Sequence, residues 1–166
     1  MIEIYVGYII QGQEDLLLKQ LPIFLISIPV INGVGGNIGS ILGAHLASGL
    51  HIGSITLDPK DKIMHENVLT AILLGICTYS LLAIGIYLIA MITGITMGID
   101  LGKFVSIFIG TGILLVCSIS VISVFTAFYS FKKGVDPDDV VAPVVTTFGD
   151  SLGIMFLFFL IGVGMI

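Results

Sequence analysis

Residues 22–50 read PIFLISIPVINGVGGNIGSILGAHLASGL, an apolar stretch in which glycine and asparagine recur. A helix that crosses a lipid bilayer needs roughly 20 mostly apolar residues, and this stretch is long enough. Three more stretches reach that length, at about residues 67–95, 104–129 and 140–165. The sequence therefore predicts an all-α, polytopic membrane protein whose transmembrane domain, residues 22–166, contains four full transmembrane helices.

The composition of the 166-residue chain agrees with a lipid bilayer as its surroundings. Hydrophobic residues make up 57% and charged residues 10%, and the mean hydropathy is +1.18, which leaves too little polar surface for a soluble domain. The basic side chains are six lysines that lie between apolar stretches, so there is no basic patch for nucleic acid. Cys77 and Cys117 lie inside apolar stretches without metal-ligand spacing, and we expect both to be small core hydrophobes.

The N-terminal segment, residues 1–21, is not expected to span the membrane. Residues 1–11 are apolar but too short, and the polar residues 12–15 interrupt the stretch. We expect a short helix stub followed by a polar interfacial segment.

The lysines indicate which loops face the cytoplasm. The loops at residues 51–66 and 130–139 hold four lysines, against two on the other side of the membrane. Cytoplasmic loops carry an excess of lysine and arginine. Both loops are therefore predicted to be cytoplasmic, and the C-terminus is predicted to lie outside the cell membrane.

The first apolar stretch contains five glycines between residues 33 and 43, which an ordinary lipid-facing helix does not need. Glycine at membrane depth either lets a neighbouring helix approach closely or lets the backbone unwind where it lines a wet cavity. Both explanations are open from the sequence, and the second predicts a discontinuous, site-forming helix.

Asp150 is the most informative single residue. It follows Asp139 by eleven residues, which at about 1.5 Å each places it roughly 16 Å into the fourth helix, near the middle of a core about 30 Å thick. Asn37 lies at a similar depth in the first helix. An ionisable residue at this depth usually marks an ion or proton path, although a hydrogen bond to a neighbouring helix is the simpler alternative for each residue.

Other polar residues have simpler explanations. The run DPDD at residues 136–139 suits a helix start, with Asp136 as the N-cap and Pro137 as the first helical residue. The three histidines do not share a helical face and therefore do not indicate a zinc site: His45, His51 and His65.

Magnesium suits a site with few protein ligands, because it sheds water reluctantly and is usually held through one or two carboxylates and retained waters. If two chains pair about an axis along the membrane normal, two Asp150 side chains face each other and repel until a dication lies between them. The Asn37 amide, the Thr146 and Thr147 hydroxyls and the carbonyls of residues 33–36 would complete a surrounding shell. This arrangement predicts a homodimer, and a heteromer with a similar half-length chain is an open variant.

Two segments carry a resemblance to a known family. PVINGVGGNIGS (residues 29–40) and DPDDVVAPVVTTFGD (residues 136–150) resemble the signature stretches of the MgtE family of magnesium transporters and its solute-carrier relatives in animals. The resemblance implies divalent-cation transport, with Mg²⁺ as the expected ion, by a dimer or by two fused halves. It places Asp150 on the family's pore aspartate, while Ser40 stands where bacterial members usually carry a second asparagine. The candidate metal-binding residues are therefore Asp150, Asn37, Gly33, Gly35, Gly36, Ser40, Thr146 and Thr147.

Two other classes of protein are open. The sequence TFGD at residues 147–150 is similar to the Gly-x-Gly-Asp motif of intramembrane aspartyl proteases, but Thr147 replaces the first glycine. That chemistry also needs a second mid-membrane carboxylate to share a proton, which the chain does not supply. The other class is a non-transporting assembly subunit, in which the glycines and Asp150 serve only packing. We predict a transporter and not an enzyme.

Overall fold

The chain folds into four long helices. The computed structural model describes residues 4, 7–8, 11–12, 22–96 and 99–164. The helices are α1 (Pro22–His51), α2 (Lys62–Thr93), α3 (Leu101–Lys132) and α4 (Pro137–Gly164). All four are long and apolar enough to cross a membrane, and the described residues contain no strand. The predicted all-α class and the four spans are confirmed, while the predicted interfacial segment lies outside the described residues, as does much of the predicted stub.

Aspartates cap the starts of three helices. Asp61 Oδ1 accepts from the Met64 N–H at 3.0 Å, Asp100 Oδ2 accepts from the Gly102 N–H at 2.9 Å, and Asp136 Oδ1 accepts from the Asp138 N–H at 3.0 Å. Each bond satisfies a backbone donor that the first turn of a helix leaves without a partner. These caps explain why α2, α3 and α4 begin a few residues earlier than the apolar stretches alone predict. The predicted cap at Asp136, with Pro137 as the first helical residue, is confirmed.

Helices α1, α3 and α4 pack against one another, and α2 packs on α1 and α3 without contacting α4. Aromatic rings fill the centre: Tyr79 of α2 lies edge-on to Phe108 of α3, with ring centroids 5.8 Å apart. The Tyr79 hydroxyl donates to the carbonyl of Ile31 on α1 at 2.6 Å. This buried hydrogen bond joins α2 to α1 at membrane depth, where a polar group without a partner is costly.

Most glycines of α1 serve close packing. A Cβ at Gly39 would overlap Ile119 of α3, and one at Gly43 would overlap Val141 of α4. Helix α1 is continuous from Pro22 to His51 through all five of these glycines. The expectation of a discontinuous α1 is therefore wrong, because small residues four apart let α3 and α4 approach while the backbone keeps its helical hydrogen bonds.

The two cysteines occupy a different environment from the one expected. Cys77 of α2 and Cys117 of α3 are both exposed and both are free thiols. The prediction that they are core residues is wrong, because a membrane helix is apolar on its lipid-facing side as well as on its packed side.

Candidate cation site

The two signature segments meet where α1 crosses α4. A Cβ at Gly36 would lie 3.2 Å from Thr146 Cγ2, and one at Gly149 would lie 3.8 Å from the Gly36 backbone nitrogen. Both glycines are buried, so the two backbones approach each other directly at this level. The next residue on each helix is a candidate ligand, Asn37 on α1 and Asp150 on α4. The fold thus places the two predicted polar residues on neighbouring turns of two packed helices.

Asn32 makes a second contact between α1 and α4 that sequence reasoning missed. Its side-chain amide donates to the backbone carbonyl of Asp150 at 3.1 Å. Gly153 makes room for this side chain, since a Cβ there would overlap the Asn32 amide oxygen. The signal available in the sequence was an asparagine inside a membrane span, but its partner could not be identified without the packing of α4.

One side of this helix pair carries small and polar residues that are exposed or half-buried in the part of the chain that the structure describes. On α1, Gly33 and Asn37 are exposed, and on α4, Pro143 and Thr146 are exposed while Asp150 is half-buried. Each set is spaced by three or four residues and so lies on one helical face. We call these five residues the polar strip. A strip of this kind at mid-membrane is not suited to contact with lipid tails.

The hydroxyl groups in the polar strip and beside it keep their oxygens available. Thr146 Oγ1 donates to the Ala142 carbonyl at 2.9 Å, Thr147 Oγ1 donates to the Pro143 carbonyl at 2.9 Å, and Ser40 Oγ donates to the Gly36 carbonyl at 2.9 Å. Each hydroxyl hydrogen is used in its own helix. The oxygen lone pairs can still accept from water or bind a cation.

The site has the composition expected for a hydrated hard cation. No cluster of three or more His, Cys, Asp or Glu side chains that could enclose a metal occurs in residues 22–96 and 99–164 or the few described residues before them. Asp150 is the one carboxylate of the polar strip, where it lies among oxygen-bearing and small residues. One or two carboxylates with retained water is the usual way in which proteins hold Mg²⁺.

The three histidines have three separate partners outside the polar strip. His45 Nδ1 lies 3.3 Å from Asn67 Oδ1, His65 Nδ1 donates to the Asp61 carbonyl at 2.7 Å, and His51 Nε2 lies 3.2 Å from Asp136 Oδ1. The last contact joins the end of α1 to the start of α4. The Asp138 backbone N–H and the His51 side chain hold the pKa of Asp136 below its usual range.

Four apolar spans, with small and polar residues between two packed helices, are typical of membrane proteins that move ions. Residues 28–160 match the family model of MgtE, described as a divalent cation transporter, and the chain belongs to this family. It is also similar to solute carrier family 41 member 2 of Gallus gallus, with 26% identity over 144 residues that cover 78% of this chain and 24% of that protein. The chain thus spans about a quarter of the length of that relative. No solved structure matches it.

The family membership confirms the predicted resemblance, and the family is described as one of divalent cation transporters. Because the family is one of transporters, it argues against the alternative of an intramembrane aspartyl protease. The roles of the individual candidate residues stay predictions.

Proposed function

We propose that this chain transports divalent cations, with Mg²⁺ as the principal ion, along a path lined by the polar strip. The observation that carries this proposal is the exposure of the strip at membrane depth. A Cβ at Gly33 would meet nothing within 4 Å, and Asn37 and Thr146 are exposed beside the half-buried Asp150. Polar residues placed there are stable when they face water or another protein surface and not lipid tails.

A second copy of the chain is the partner that completes the path. A two-fold axis along the membrane normal brings two polar strips face to face and two Asp150 carboxylates to one level. Two like charges at close range favour the binding of a dication between them. Asn37, Thr146, Thr147 and Ser40 then hold the water that the ion retains, since their oxygens are available to it. A heteromer with a similar half-length chain would give the same arrangement.

The cytoplasmic side of the protein is the end where α1 meets α2 and α3 meets α4. The loops at residues 51–66 and 130–139 hold Lys60, Lys62, Lys132 and Lys133, against Lys103 at the start of α3 and Lys19, which precedes α1 in the sequence. The excess of lysine supports this orientation, with the C-terminus outside the cell membrane. The contact between His51 and Asp136 then lies at the cytoplasmic end of the path.

The test is Mg²⁺ flux into proteoliposomes that contain the purified chain, with an Mg²⁺-sensitive dye inside. Asp150→Asn removes the charge and keeps the shape, and we expect it to abolish flux while helicity and oligomeric state stay unchanged. Asp138→Asn is the matched control, because Asp138 lies exposed in the first turn of the same helix, outside the polar strip. Unchanged flux in Asp150→Asn would exclude Asp150 from the ion path.

The same assay separates the remaining alternatives. Dependence of Mg²⁺ flux on a sodium gradient would indicate an exchanger, and independence would indicate a channel. If the native chain gives no flux, either a partner half is required or the protein is a non-transporting assembly subunit. Co-expression with a candidate partner chain distinguishes these two outcomes, because only the first recovers flux.

A further inference from the structure

A cavity of about 500 Å³ lies between the first turns of α2 and the C-terminal half of α3. No residue of α1 or α4 lines it, so it is separate from the polar strip. Its volume is within the range of pockets that bind small molecules. Its wall is formed by apolar side chains, among them Val68, Val121, Val124, Phe125 and Phe128.

The cavity is about as long as one leaflet of a bilayer is thick. Its lining on α3 runs from Ser120 to Lys132, a distance of about 18 Å along a helix that rises about 1.5 Å per residue. This length is close to the thickness of one leaflet, which consists of half of a hydrocarbon core about 30 Å thick and the adjoining interface. A transmembrane helix from a partner would follow α2 and α3 across both leaflets, whereas a lipid tail occupies one. The length of the cavity therefore fits a lipid tail.

Two lysines lie at one end of the cavity. Lys132 lines it, and Lys133 Nζ lies 5.7 Å from the ring centroid of Tyr129, which also lines it. His65 is at the same end, but its Nδ1 donates to the Asp61 carbonyl at 2.7 Å. In the neutral ring Nε2 is then an acceptor, so the lysines are the groups that attract an anion.

The acidic side chains nearby are engaged elsewhere. Asp61 accepts from Met64 and Thr56, and Glu66 lies 3.7 Å from the Lys62 amine. No Asp or Glu belongs to the cavity lining among the residues that the structure describes. The charge at the mouth is therefore complementary to a phosphate group and not to a cationic one.

We propose that this cavity binds an anionic phospholipid. One acyl chain lies along Val121, Val124 and Phe128, and the phosphate is held at the interface by Lys132 and Lys133. Lysine stems of this length can follow the apolar wall while the ammonium groups remain at the headgroup level. Basic pockets between helices at the cytoplasmic side are suited to anionic headgroups.

Native mass spectrometry of the delipidated, purified chain tests this proposal. Dioleoyl phosphatidylglycerol and dioleoyl phosphatidylcholine are titrated separately, and the affinity of the first bound lipid is measured. We expect tighter binding of phosphatidylglycerol, and Lys132→Gln should weaken it by about fivefold, as removal of one lysine near a charged lipid does. Lys103→Gln is the matched control, since it removes a lysine from the other end of α3 and should leave the affinity unchanged.

A second variant tests the apolar wall. Val124→Trp fills part of the cavity, and we expect it to weaken the binding of both lipids without changing the preference between them. Equal binding of the two lipids by the native chain, or unchanged phosphatidylglycerol affinity in Lys132→Gln, would overturn the proposal. Dissociation of an oligomer by Val124→Trp, with no lipid preference, would show instead that a protein helix occupies the cavity. The measurement does not depend on cation flux and is independent of the transport proposal.

Discussion

The side-chain amide of Asn32 on α1 donates a hydrogen bond to the backbone carbonyl of Asp150 on α4, across 3.1 Å. It lies one helical turn from the contact between Gly36 and Thr146, so two contacts fix the height of α4 against α1 at the level of Asp150. The Asn32 amide oxygen is buried and has no hydrogen-bond partner among the described residues. A buried polar atom of this kind costs about 1–3 kcal/mol, which is unusual for a residue that serves packing alone. Asn32 is therefore placed to position Asp150.

The first prediction concerns this hydrogen bond. Asn32→Ala removes a hydrogen bond worth about 0.6 kcal/mol, the typical value between membrane helices, but it also removes the buried amide oxygen that has no partner. We therefore expect no large loss in the free energy of unfolding. The substitution should nevertheless lower Mg²⁺ flux severalfold, because Asp150 loses a contact that fixes its position. Asn67→Ala is the control, since Asn67 is a half-buried asparagine of α2 whose amide donates within its own helix and whose oxygen lies near His45, away from Asp150. Unchanged flux in Asn32→Ala would mean that Asn32 does not position Asp150.

The second prediction concerns the close approach of α1 and α3. Gly39→Ala should destabilise the protein by about 1–3 kcal/mol, because the new methyl group overlaps the β-branched side chain of Ile119. Gly85→Ala in α2 is the matched control, since a Cβ there would meet nothing within 4 Å. It should be neutral or stabilise α2 by up to about 1 kcal/mol through helix propensity. The stability of both variants is measured by unfolding in detergent, followed by circular dichroism. Equal stability of the two variants would contradict the close packing of Gly39 against Ile119.

The helices could be predicted from the sequence, while the roles of the glycines could not. Length and apolarity are local properties, and they gave the four spans to within a few residues. Gly33 and Gly36 belong to the same GVGG segment, yet Gly36 packs against Thr146 and Gly33 faces open space. That difference depends on the side of α1 on which α4 packs. The local sequence of α1 does not contain this information. The expectation of an unwound helix failed for the same reason.

The outward position of Cys77 and Cys117 has a related cause. In a soluble protein an apolar residue indicates the core, but in a bilayer the lipid-facing side of a helix is equally apolar. Polar and small residues therefore carry most of the information about which side is packed. This is why Asn37 and Asp150 were identified from the sequence as candidates, while the cysteines were misplaced.

The third prediction concerns the pH dependence of the cap on α2. The backbone N–H groups of Met64 and Thr56 and the Thr56 hydroxyl lower the pKa of Asp61 from its usual 3.8 to about 2. Because the folded-state pKa is depressed, the stabilising contribution of the cap is present above about pH 4 and is lost as the pH falls toward 2. Asp61→Ala should therefore lower the thermal unfolding temperature at about pH 6, and the difference from the native chain should shrink toward pH 2. If the difference in unfolding temperature between Asp61→Ala and the native chain stays constant across this pH range, the assigned role of Asp61 is contradicted. The control is Glu66→Gln, which changes an acidic residue in the next turn of the same helix.

The fourth prediction concerns the polar strip and its partner surface. Gly33→Leu places a large side chain on a face where a Cβ meets nothing within 4 Å, so the fold of the single chain should be unaffected. If a second copy and a hydrated ion occupy the space beside Gly33, the leucine fills it, and Mg²⁺ flux should fall severalfold. Gly85→Leu is the control, because it also adds a side chain on an open face but lies on α2, away from the polar strip. Size-exclusion chromatography with light scattering, run beside the flux assay, distinguishes a blocked path from a disrupted dimer. Normal flux and normal assembly in Gly33→Leu would place both the partner and the ion path elsewhere.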